Sequence, residues 1–170
     1  MAKVLFIIAN NWFQDNEFWI PYKTLTAQGH KCEIASGKWW YCIWVYWKEI
    51  NETKAINEIV PQNYDLIIFI WWWWAEKQYK DNELYYSIAK KWKAIAAICI
   101  APTILSYTWI FDWKEVTWRD DWIKTQINQI EKNGWIYKYE DVVQDWKIIT
   151  ANWPDAATKF AWKIIDFLKD

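Results

Sequence analysis

The sequence predicts an α/β fold, a mainly parallel sheet with helices on both faces, and three observations carry that prediction. Lys3 to Ala9, Asp65 to Ile70 and Ala94 to Ile98 are continuous apolar runs, the pattern of strands buried on both faces rather than strands with one wet side. Helix-like stretches separate them, the alternation of βαβ units. The 170 residues fit one domain, 1–170, long enough to bury a core without disulfides or metals.

Each element follows in order. Lys3 to Ala9 opens the sheet as strand one. Pro21 to Gln28 reads as a short helix leading to Gly29-His30, and the alternating Lys31 to Ser36 is strand two. Residues 37 to 50 suggest a hairpin or irregular strand, and Ala55 to Val60 a short helix before Pro61. After the strand Asp65 to Ile70, a helix over Asp81 to Lys91 places Leu84, Ile88 and Trp92 on one face. The strand Ala94 to Ile98 leads to Cys99, and Pro102 suits the first turn of a helix continuing over Thr103 to Thr108. Val116-Thr117 is strand-like. A helix over Asp121 to Lys132 closes at Asn133-Gly134, Ile148 to Thr150 is a strand, and a last helix spans Asp155 to Leu168. Such sheets place their sites at the carboxyl ends of strands, here the loop at Trp71 to Trp74 and the turn at Cys99.

Composition narrows the function. Lys plus Arg is 20 against 21 for Asp plus Glu, a net charge of -1, so there is no basic surplus for nucleic acid or an anionic membrane surface. The apolar run from Leu66 to Ala75 is far shorter than a membrane span. Three cysteines without framework spacing, and a first segment unlike a secretory signal, point to the reducing cytoplasm.

Tryptophan is 19 residues and glycine 3, and the tryptophans stand where glycine is expected. Asp112-Trp113-Lys114 and Asp145-Trp146-Lys147 each precede a strand-like run, where Asp-Gly would mark a tight turn. Trp92 ends a helix where a glycine cap is common, and Trp71 to Trp74 follow a strand where a glycine-rich loop would fit. Many of these tryptophans therefore read as stand-ins for glycine. A gene from a lineage that uses UGA for glycine, translated with UGA as tryptophan, would give this pattern and leave Gly29, Gly37 and Gly134 from ordinary codons. The rival is a genuinely Trp-rich chain.

Cys99 sits between a strand and a helix, so its thiol is expected on a sharp elbow at a helix N-terminus. Free amides and the helix dipole there favour thiolate and can stabilise an oxyanion. The plainer alternative is a cysteine filling core space. Glu17, in Phe13-Gln14-Asp15-Asn16-Glu17 after strand one, can project over the same sheet edge and shuttle a proton, or be an ordinary acidic residue of a helix's first turn. His30, the single histidine, reads as a solvated turn residue, and no Cys/His spacing suggests a metal.

Together these residues resemble the ThiJ/PfpI superfamily, the DJ-one/PfpI family. The resemblance lies in Lys3 to Ala9, Phe13 to Glu17, Gly29 to Ser36, Tyr64 to Ile70 with the following loop, and Ala96-Ala97-Ile98-Cys99-Ile100-Ala101-Pro102. Val142 to Pro154 and the Phe160-Ala161 helix complete it. It implies a flavodoxin-like three-layer sandwich with a nucleophile elbow. Cys99 would be the nucleophile or oxidation-sensing cysteine, and Glu17 the protonated carboxyl bonded to it. Backbone amides at Trp72 or Trp73 and at Ile100 would form the oxyanion pocket. The family has glycine at the positions of Trp71, Trp72, Trp146 and Trp153. Protease-like members carry histidine after the cysteine, where this chain has Ile100. Members that bring a histidine from the strand after the elbow helix are matched here only by Arg119 or Asp120.

Peptidase activity is therefore not expected. The resemblance implies cofactor-free glyoxalase or deglycase chemistry on a small carbonyl substrate, in a homodimer. The alternative is a non-catalytic oxidative-stress sensor or chaperone using oxidation of Cys99. A nucleotide-binding loop at residues 71 to 74 ranks last, for want of the P-loop Lys and Ser/Thr.

Overall fold

The computed structural model describes residues 1–9, 11–37, 42–44, 49–50, 54–71, 83–91, 93–108, 113–120 and 125–169. In chain order the elements are β1 (Lys3–Ile8), β2 (Asn11–Phe13), α1 (Asp15–Ala27), β3 (Lys31–Ser36), β4 (Cys42–Trp44), β5 (Glu49–Ile50), β6 (Lys54–Ala55) and β7 (Leu66–Trp71). They continue with α2 (Glu83–Lys90), β8 (Ile95–Cys99), α3 (Ala101–Ser106), β9 (Glu115–Val116), α4 (Thr125–Lys132), β10 (Ile136–Tyr137), β11 (Val142–Asp145), β12 (Ile148–Ala151) and α5 (Ala157–Phe167). Single 3-10 turns cover Ile56–Glu58, Pro61–Asn63 and Pro154–Ala156.

A seven-stranded sheet runs in the order β11-β12-β8-β7-β1-β3-β6. All its pairings are parallel except the β11–β12 hairpin. The continuous apolar runs sit at its centre because both faces are covered: Val4 through Ile8, and Leu66 through Trp71, are all buried. Right-handed crossovers fix the layers. The chain steps from β1 to β3 in one direction and from β7 through β8 to β12 in the other, so α1 lies on one face and α2, α3 and α4 on the opposite face. The closing helix α5 packs against α1. Its Phe160, Ile164 and Ile165 are buried, while Phe167 and Leu168 are only partly so.

Several boundaries differ from the sequence expectation. The first helix begins at Asp15, not Pro21, because the Gln14 side chain caps it by accepting the Glu17 N–H at 2.9 Å. Pro21 then lies inside the second turn. The strand expected to end at Ile70 includes Trp71, which is fully buried against Phe69 and Tyr85 and belongs to no loop. Ala55 to Val60 forms an edge strand and one 3-10 turn instead of a helix. Within residues 37 to 50, β4 and β5 form the suspected hairpin, joined to β2 in a small second sheet. The expected cap at Trp92 and the loop at 72 to 74 fall outside the described residues.

The amino-terminal edge of the sheet is tied by one carboxylate. Glu33 meets Lys3, Lys31 and Lys54 at 3.2, 3.5 and 2.6 Å, and accepts the Tyr64 hydroxyl at 2.8 Å. Burial disfavours its charge, but these donors together outweigh burial and hold its pKa at about 2.

Turn residues carry their own signature. Gly29 and Gly134 adopt φ of 81° and 83°, the left-handed region that glycine enters freely. Trp113 and Trp146 adopt it too, with φ of 67° and 55°. Trp153, by contrast, has φ of -118°, open to any residue, so the backbone there makes no demand for glycine.

Candidate active site

Cys99 is the last residue of β8 and pairs with Trp71, the last of β7, so it sits at the carboxyl edge where a site was expected. Its φ is 63°, a conformation that ordinary side chains avoid. The strain follows from local geometry: β8 is buried to its end, α3 starts two residues later, and the chain must reverse at Cys99. A strained residue between strand and helix, with a nucleophilic side chain, is a nucleophile elbow.

The elbow is held from the far side of the fold. Arg119 donates its backbone N–H to the Cys99 carbonyl at 3.0 Å. Arg119 is itself positioned by Thr117, whose N–H donates to Thr150 Oγ1 at 2.8 Å and whose hydroxyl donates to the Glu140 carbonyl at 2.6 Å. The neighbouring Trp118 is fully buried with its ring edge-on to Tyr137 at 4.3 Å. The Arg119 guanidinium lies 4.7 Å from the Trp153 ring centre, and its charge acts on the Cys99 thiol.

Glu17 comes from the first turn of α1, and the Gln14 cap sets where that turn begins. Cys99 and Glu17 are both 0 % exposed. Their side chains lie close enough for each to shift the ionisation of the other, and neither carboxyl oxygen of Glu17 has a hydrogen-bond partner among the described residues. Burial pushes Glu17 up to about 8, while Cys99 and the charge of Arg119 pull the other way. Burial also raises the Cys99 thiol well above its usual range, the charge of Glu17 adds to this, and Arg119 opposes it. At neutral pH the pair therefore rests with both groups protonated. The first proton removed leaves one negative charge on two groups in contact.

The two side chains expected to act together are thus brought together. Ile100 follows Cys99 and is buried. Trp72 and Trp73, the other expected amide donors, lie outside the described residues. His30 serves the opposite edge of the sheet, where its Nδ1 accepts the Ala2 N–H at 3.2 Å. Among the described residues no group of three or more His, Cys, Asp or Glu could hold a metal ion. No described helix is long and apolar enough to cross a membrane. In the sequence Arg119 stands out only as a mismatch to the histidine of the strand after the elbow helix, since arginine does not serve as a base at neutral pH. The available signal was a permanent cation at the place where a histidine was sought.

A parallel α/β sheet with a left-handed cysteine at the carboxyl end of a central strand, backed by a buried carboxyl, defines the cysteine-elbow class of α/β proteins. Within that class the chain belongs to the DJ-1/PfpI family, whose profile matches residues 2–167. It is 29% identical over 168 residues to an uncharacterised protein of Methanocaldococcus jannaschii, covering 96% of this chain and 81% of that one. It is 28% identical over 138 residues to the deglycase PfpI of Pyrococcus furiosus, covering 76% of this chain and 82% of that one. The fold matches the crystal structure of a ThiJ/PfpI domain protein from Brachyspira murdochii with a TM-score of 0.90 and 20% identity, over 98% of this chain and 96% of that one.

Proposed function

We propose that the protein carries out glyoxalase or deglycase-type chemistry on small reactive carbonyl compounds, with Cys99 as nucleophile and Glu17 as the proton carrier. The observation that carries this reading is the direct pairing of an elbow thiol with a buried carboxyl whose pKa, about 8, sits close to neutral pH. Three deglycase-named relatives support the reaction class.

For methylglyoxal the steps balance without any cofactor. The Cys99 sulfur adds to the aldehyde carbon as its proton passes through Glu17 to the new oxygen, giving a hemithioacetal. Glu17, as carboxylate, then takes the proton from that carbon to form an enediol and returns it to the neighbouring carbon, while the hydroxyl proton passes to that carbon's oxygen, leaving a lactoyl thioester. Water cleaves the thioester and restores the thiol, so methylglyoxal plus water becomes lactate. The amide of Ile100, and those expected at Trp72 or Trp73, are placed in this reading to stabilise the oxyanion. A homodimer in the cytoplasm is the setting proposed for it.

The test is lactate formation from methylglyoxal by the purified protein with no added cofactor. Product formation that Cys99→Ser abolishes supports the reading. No product, together with stoichiometric peroxide oxidation of Cys99 to the sulfinate, replaces it with the oxidative-stress sensor.

A further inference from the structure

We propose that Arg119 is the fixed cation of this site, holding the single negative charge that Cys99 and Glu17 share once one proton has left. The inference deepens the functional reading above and rests on Cys99 being reactive.

Three features support it. The Arg119 backbone N–H is bonded to the Cys99 carbonyl at 3.0 Å, which holds the residue against the elbow, and its charge acts on both Cys99 and Glu17. Thr117 anchors the segment through two hydrogen bonds, so the backbone from which the Arg119 side chain extends is fixed. Arg119 is half-buried while Cys99 and Glu17 are fully buried. The charged groups acting on Cys99 among the described residues are Glu17 from α1 and Arg119 from the segment after β9. Arginine does not surrender its proton. Deprotonation therefore takes the pair from Cys99–SH with Glu17–COOH to one anion beside one cation, with no net charge buried. The anion interconverts between Cys99–SH with Glu17–COO⁻ and Cys99–S⁻ with Glu17–COOH, and Arg119, held against the elbow, favours the thiolate form. In a site without histidine, charge stabilisation falls to Arg119 and proton transfer to Glu17.

The experiment is the rate of Cys99 alkylation by iodoacetamide against pH, read by peptide mass, in the intact protein and in Arg119→Met and Arg119→Lys. The sulfur displaces iodide in this reaction, so the rate reports thiolate. Arg119→Met should move the profile up by about one pH unit or more, the usual effect of removing an adjacent opposite charge. Arg119→Lys should restore most of it. Should the Met variant not fold, Arg119→Gln keeps a donor while deleting the charge, and the same shift is expected. An unchanged profile in a folded charge-deleting variant overturns this proposal and leaves the functional reading standing. A Cys99 unreactive at every pH overturns both.

A second inference rests on different observations. We infer that residues 113 and 146 are glycine in the protein as its own organism makes it. Among the described residues, three other than glycine have positive φ: Cys99, Trp113 and Trp146. The elbow accounts for Cys99. Trp113 and Trp146 are 78% and 62% exposed, each between an Asp and a Lys, so no core packing offsets their strain. Asp145 pairs with Ile148, which makes Trp146-Lys147 a two-residue hairpin loop whose first residue has positive φ, a glycine position. The gene decides it: UGA codons at both positions, and glycine in peptides from the native organism, are expected. UGG codons, or native peptides with tryptophan, overturn it. In the chain as written, Trp113→Gly and Trp146→Gly should each raise Tm by about 2–4 °C.

Discussion

The Glu17 carboxyl and the Cys99 thiol lie together inside the core, each with 0 % exposure and each shifting the ionisation of the other. Two acids in contact, out of water, titrate as one unit. The consequences can be read in stability as well as in chemistry.

Glu17 ionises near 4.5 when unfolded and at about 8 when folded. Between those values the native protein keeps a proton that the unfolded chain has lost, so stability is fully present below pH 4.5 and drains away as pH rises through 8. Glu17→Gln removes that dependence. It should match the parent in thermal melts below pH 4.5 and exceed it at pH 8, by roughly 2–4 kcal/mol.

The elbow stores backbone strain at Cys99, where φ is 63°. Alanine removes the thiol and keeps the strain, whereas glycine removes both. Cys99→Gly should therefore be more stable than Cys99→Ala, by about 1 kcal/mol, although it leaves the larger void. Denaturant melts of the two variants check this, and the reverse order would show that the elbow is not strained.

At the opposite edge, Glu33 has its pKa depressed to about 2, so its contribution is present above 4.5 and lost as pH falls through 2. Glu33→Gln should cost about 1–2 kcal/mol at neutral pH, a modest figure because the lysines remain partly solvated. Acid titrations of the two proteins should converge below pH 2.

The sheet was legible because its central strands announce themselves: nothing but a doubly covered strand explains Val4 to Ile8, and β3 matches its predicted limits at Lys31 and Ser36. The start of α1 was not, since Gln14 is an uncommon cap and Pro21 imitates a first-turn proline. Cys99 and Glu17 were singled out by the element order that sends both to one edge of the sheet, together with the family resemblance. Trp71 was misplaced because a run of identical residues hides the point where strand ends. The tryptophans at 113 and 146 were flagged by their Asp and Lys neighbours, and the left-handed backbone at both bears that turn reading out. Arg119 is brought to the elbow by long-range hydrogen bonds to β12 and to the Cys99 carbonyl, which no local pattern encodes.

Whether Glu17 moves the proton for a reaction at Cys99 is decided by the initial rate of lactate formation from methylglyoxal against pH. The rate should climb through an inflection near 8, where Glu17 ionises, and fall by about a hundredfold or more in Glu17→Gln. A Glu17→Gln protein that keeps the parent rate and the same inflection would contradict that role.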